Sequence, residues 1–230
     1  ESISFGSPQL DEVFGGLEKG NVFSLVYDEH IPYRAVRLMT VPAAVNALNS
    51  GRGVFYAPLP GTTNREVAEA LRPFVSPEVY RNCLAIGSVG GEATAEPPLY
   101  SISAQQPKDA SARVSEMVSM IRDRSQTKSV LMIESLGMFE ALFASKLESM
   151  VESIGERAGA IHASGTDTLM FTIQSESPIL KRTLALSGRY ARLCARDRSV
   201  VIFGEKPGTP AYALDHAKEN PLLASLTLIV

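Results

Sequence analysis

Apolar, strand-like runs alternate with amphipathic stretches from Val22 to Gln174, and few folds satisfy that alternation. Val22–Val26, "VFYAP", "CLAIGSV", "KSVLMIESL" and "TLMFTIQ" read as strands. The last two are so continuously apolar that both of their faces must be covered. Between them, Arg34 to Leu48 reads as a helix that Pro42 is expected to kink or split. "NREVAEALRPF" sets Val67, Ala70, Leu71 and Phe74 at helical spacing. Asp109 is the expected N-cap of a helix that lines up Val114, Met117, Val118 and Ile121. A long helix is expected through Phe143, Leu147, Met150, Val151 and Ile154. The stretch 89–108, rich in Gly, Pro and small polar residues, reads as a loop. After a basic segment come "SVVIFGE", "AYALDH" and "SLTLIV", with no helix between them. The pattern predicts an α/β fold with a mostly parallel sheet flanked by helices and antiparallel strands at the C-terminal edge. Without repeats or a long linker, residues 1–230 read as a single domain.

Hydrophobic residues make up 45% of the chain and charged residues 20%, enough apolar material for a core and no signature of disorder. A net charge of −3 gives the whole molecule no bulk attraction to nucleic acid or anionic lipid. Cys83 and Cys194 form no CxxC pair, and His30, His162 and His216 lack metal-ligand spacing, so no metal site is expected. The sequence has neither an apolar run of membrane-spanning length nor a signal-peptide pattern at its start. A cytoplasmic protein that does not bind membranes is the expectation.

The opening "SFGSPQLDEVFGGLEKGNVFSLV" sets Gly6, Leu10, Asp11, Phe14, Gly15, Gly16, Leu17 and Gly20 in a fixed order. That order resembles the segment leading into the phosphate loop of RecA-fold ATPases, above all the KaiC-like and archaeal RadA-like branch. "SVLMIESL" resembles the Walker B strand, "LMFTIQSES" the strand that follows it, and "GEKPGT" the family's terminal Lys-Arg-Gly-Ser region. The resemblance covers essentially the whole chain and implies a RecA-like fold of the P-loop NTPase type. It also puts the Walker A pattern G-x-x-x-x-G-K-[ST] on Tyr27 through Arg34. Tyr27 and Pro32 then stand for its two glycines, Tyr33 for the lysine and Arg34 for the magnesium-binding hydroxyl. A phosphate loop works through inward N–H groups, close backbone approach and a cation. Pro32 has no N–H, Tyr27 adds bulk, and Asp28 and Glu29 tend to repel an anion.

The Walker B acid is Glu134, the strand after it ends at the sensor position Gln174, and no carboxylate follows "YAPLPGTT" before Glu66. The arginine expected to act in trans falls at Pro207, leaving Lys206. The resemblance therefore implies a vestigial nucleotide site at Tyr27, Asp28, Pro32, Tyr33, Arg34, Glu134, Ser135 and Gln174. It implies no catalytic residue and no bound ATP or magnesium. Such a chain is expected to serve as a scaffold or regulatory subunit, as a homo-oligomer or beside an active RecA/KaiC-like paralogue.

Two alternatives stay open at this level. Segment 181–198 holds six basic residues against Asp197 alone, a local +5. Lys181, Arg182, Arg189 and Arg192 could contact nucleic acid in a central channel, or could instead pair with acids. Arg34, Glu134 and Lys206 could form a rebuilt nucleotide sensor, or Arg34 could pair with Asp28 or Glu29. A neighbouring arginine is expected to cap Glu134 if the carboxylate is structural.

Overall fold

The alternating runs become helices layered on both faces of one broad sheet. The computed structural model describes residues 2–89 and 95–229. The first half runs β1 (Ser2–Ile3), α1 (Pro8–Phe14), β2 (Leu17–Glu18), β3 (Val22–Tyr27), α2 (Tyr33–Asn49), β4 (Gly53–Ala57), α3 (Asn64–Leu71), α4 (Pro77–Asn82) and β5 (Leu84–Val89). Then follow β6 (Ala95–Glu96), β7 (Leu99–Ile102), α5 (Pro107–Arg124), β8 (Val130–Ser135), α6 (Leu136–Phe143), α7 (Leu147–Ser164) and β9 (Thr168–Gln174). The chain closes with α8 (Leu180–Leu186), β10 (Arg189–Arg196), β11 (Ser199–Lys206), β12 (Tyr212–His216) and β13 (Ala224–Leu228). Short 3-10 turns lie at Arg72–Phe74 and Ala144–Lys146.

The main sheet has the order β13-β12-β11-β10-β3-β9-β8-β4-β5-β7-β6. Every neighbouring pair from β10 to β7 is parallel. Antiparallel strands β11, β12 and β13 finish the C-terminal edge, and β6 turns antiparallel at the other. Every residue of β3 and β8 is buried, as a parallel strand covered on both faces requires. Phe23, Leu25 and Tyr27 join the core formed with α2 and α3, while Val22 and Val26 face α5 and α7.

Several local expectations need correction. Helix α2 runs through Pro42 without splitting. Leu38, Val41, Ala43, Ala44 and Ala47 are buried around it, so core burial outweighs the lost hydrogen bond, a penalty of about 3 kcal/mol. The turn before α1 tightens this packing, since a Cβ on Gly6 (φ +77°) would lie 2.3 Å from the Pro42 carbonyl oxygen. The expected loop 89–108 contains β6 and β7, with β7 paired to β5; residues 90–94 lie outside the described residues. As a near-edge strand, β7 buries only Ile102 fully, so its sequence lacks the apolar run that marks a central strand. Helix α5 starts at Pro107, with Asp109 in its first turn and Gln106 at the N-cap. Proline suits that first position because its missing N–H is not needed there. The long helix divides into α6, a 3-10 turn and α7. The basic segment, for which no strand is expected, becomes α8 and β10.

Candidate functional site

The parallel strands end together where β3 meets α2, and there the sequence-derived candidates can be compared directly. Chain 28–32 makes a tight turn. Asp28 N–H donates to the Leu193 carbonyl at 3.1 Å, and Ile31 N–H donates to the Asp28 carbonyl at 3.0 Å. Pro32 caps α2 with no side-chain hydrogen bond and has no N–H of its own. Ile31 is buried and pins the turn to the core. The Asp28 and Ile31 N–H groups are thus engaged, and Pro32 has none to offer an anion.

Tyr27 is fully buried, and its hydroxyl has no hydrogen-bond partner among the described residues. Its ring stands edge-on to Tyr33, with centroids 6.5 Å apart and planes at 84°. Burial pushes the Tyr27 phenol pKa well up, and Tyr33 and Glu140 push it further. Tyr33 lies against Gly61, where a Cβ would be 3.8 Å from its ring. Pro60 closes on Gly137, where a Cβ would be 2.9 Å from the proline ring. Gln174 is opposite Tyr27 in the parallel register. Ser135 is buried with an unpartnered hydroxyl. Tyr27, Tyr33 and the loop after β4 therefore occupy the end of the sheet, whereas Pro32 is exposed and fills nothing.

Glu134 turns to the opposite face and is also fully buried. Arg157 of α7 donates Nη1 to Glu134 Oε2 at 2.5 Å and stacks its guanidinium 4.9 Å from the Phe139 ring centre. Glu134 Oε1 and Arg157 Nε have no partner among the described residues. Burial raises the Glu134 carboxyl pKa despite the downward pull of Arg157. The capping arginine expected beside Glu134 is thus Arg157, a residue that the sequence reading did not name. Its signal was present: Met150, Ile154, Arg157 and Ile161 recur at helical spacing, placing an arginine on a buried stripe.

The other candidates do not converge. Arg34 is exposed and, with Arg37 and His216, lines an apolar cleft of about 190 Å³. It makes no ion pair among the described residues; Asp28 instead meets Arg192 at 3.6 Å. Lys206 donates to the Ser187 carbonyl. In the basic segment, Arg182 pairs with Glu148 at 2.6 Å and Arg192 with Glu205 at 2.8 Å. Arg189 pairs with Glu18 and donates to the Phe14 carbonyl. Lys181 is exposed. Three of the segment's six basic residues are therefore paired with acids from other elements.

A mostly parallel sheet, a strand–turn–helix at its carboxyl end and antiparallel strands at one edge define an α/β protein of the RecA type. No family model matches the sequence, and no curated protein matches it. Among solved structures, it is similar to a KaiC-like protein of the hyperthermophilic archaeon Pyrococcus horikoshii OT3. The TM-score is 0.70 at 12% identity, over 99% of each chain. The chain has that KaiC-like, RecA-type fold. No helix among the described residues is long and apolar enough to cross a membrane.

Proposed function

We propose that this chain is a non-catalytic RecA/KaiC-like protein, a scaffold or regulatory subunit that works by assembling with itself or with an active paralogue. The closed junction of β3 and α2 carries this reading: Tyr27 and Tyr33 stand in edge-to-face contact there, the N–H groups of Asp28 and Ile31 are engaged by backbone carbonyls, and Pro32 has none. On this reading, a magnesium nucleotide does not fit. Phosphate would meet Pro32 and two acids, and the Walker B carboxylate is already paired with Arg157. A RecA-type chain that has lost this chemistry can still keep the surfaces by which such folds associate.

The test is calorimetric titration with Mg-ATP and Mg-ADP, together with light scattering for oligomer size. No saturable heat at millimolar nucleotide and one defined assembly, alone or with a paralogue, are the expected results. Nucleotide binding that Arg34→Ala and Glu134→Gln both abolish would replace this reading with a nucleotide sensor. A chain that stays monomeric and captures no paralogue would remove the scaffold role.

A further inference from the structure

Apart from the β3–α2 junction, α3, the Arg72–Phe74 turn, α4 and the β6–β7 hairpin line a cleft of about 570 Å³. Three successive elements each contribute an arginine to it: Arg65 from α3, Arg72 from the turn and Arg81 from α4. All three are exposed, and none forms a salt bridge among the described residues. By contrast, Arg113, Arg122, Arg157, Arg182, Arg189 and Arg192 each have a carboxylate partner. The Arg81 side chain is steadied through Nε, which donates to the Pro77 carbonyl at 3.2 Å. Among the described residues, Glu96 is the one acid lining the cleft, so three arginines against one glutamate leave a formal +2. Glu69 and Glu78 lie nearby on α3 and α4 but do not line it.

The other walls suit an organic body. Tyr80 is half-buried and lies near Arg72, which draws its phenol pKa down against the larger upward effect of burial. Pro97 and Pro98 offer smooth apolar faces, and Pro98 is itself buried. The volume lies in the range of small-molecule sites, about 300–1,000 Å³. Guanidinium groups bind carboxylates and phosphates, but a phosphomonoester presents three charged oxygens and can engage several guanidinium groups together. A polyanionic macromolecule would need a longer basic track, and the paired arginines of β10 do not extend one.

We propose that this cleft binds a small phosphomonoester, with its phosphoryl group held by Arg65, Arg72 and Arg81 and its ring set against Tyr80, Pro97 and Pro98. The site shares no residue with the β3–α2 junction, so it stands or falls independently of the scaffold reading.

The experiment titrates the whole chain with adenosine 5′-monophosphate, ribose 5-phosphate and inorganic phosphate by calorimetry at low salt. Saturable binding of at least one phosphomonoester is expected. Arg72→Ala or Arg81→Ala should weaken it by about tenfold or more. Arg81→Lys should weaken it less, because the charge remains while the two-pronged contact is lost. Arg113→Ala, at an exposed α5 arginine paired with Glu116, should leave it unchanged. Tighter binding of the nucleotide would show that the base uses the proline and tyrosine walls; equal binding would assign recognition to the sugar phosphate. Both results support the site. Absence of saturable binding, inorganic phosphate binding as tightly as the esters, or affinity indifferent to the arginine variants would overturn it. So would binding of only a phosphoserine peptide or tRNA through these arginines.

Discussion

Glu134 and Arg157 hold two charges inside the protein, with one hydrogen bond between them and one atom unpartnered on each side. Removing one partner leaves the other buried and uncompensated. Arg157→Ala is therefore expected to destabilise the fold by about 3–5 kcal/mol in chemical denaturation. The double change Glu134→Leu with Arg157→Met should recover most of that loss, since it leaves no orphan charge. If the double variant is as unstable as the single one, the pair has a role beyond mutual neutralisation. Burial raises the Glu134 carboxyl pKa above its unfolded value, so the native state holds the proton more tightly. The associated stability is complete below the ordinary carboxylate pKa, about 4.3, and is lost as pH rises through the native value. Glu134→Gln should remove that part of the pH dependence, and stability–pH curves that stay parallel would contradict it. Tyr27 follows the same sign at higher pH, because its phenol is also raised. Tyr27→Phe removes a buried hydroxyl without a partner. It should stabilise the protein by about 1 kcal/mol and flatten the stability loss above about pH 10.

Among the elements, β10 was the hardest to read. Ala191 and Leu193 are buried while Tyr190, Arg192 and Cys194 between and beside them are not, so a period of two is present. Charge density hid it. Pairing Arg189 to Glu18 and Arg192 to Glu205 makes those charges compatible with a strand next to the buried β3. The far edge shows another device invisible in local sequence. Ala224 N–H donates to Ser7 Oγ at 2.7 Å, and Leu226 N–H donates to Gln9 Oε1 at 2.5 Å. Side chains from the start of α1 thereby satisfy N–H groups along β13 that would otherwise invite another strand. Ser7→Ala should cost about 1–3 kcal/mol by leaving a buried donor unsatisfied. Gln9→Ala should cost less stability but shift the chain toward larger species in light scattering. An unchanged size distribution would count against the edge-covering role.

Across the whole molecule, Arg182, Arg189 and Arg192 of segment 181–198 meet acids from β2, the 28–32 turn, α7 and β11. With the net charge of −3, no strong field remains to gather a phosphate backbone. The chain is expected to show no anisotropy change with labelled tRNA or single-stranded DNA at low salt. Steep salt-dependent binding lost on changing Lys181 and Arg182 together to Glu would show that these local pairs open for nucleic acid.

The sequence alone determined the layered α/β character, because buried parallel strands and amphipathic helices carry their own periodicities. It also determined the chemical inventory at the β3–α2 junction, since Pro32 lacks an N–H in any fold. Tertiary structure decided which face Glu134 takes, that Arg157 caps it, that β10 enters beside β3, and that Arg65, Arg72 and Arg81 share one cleft. The division has a physical reason. Periodicity and residue chemistry are local properties, whereas charge compensation and strand order join residues as distant as Glu18 and Arg189. Only the folded chain brings them together.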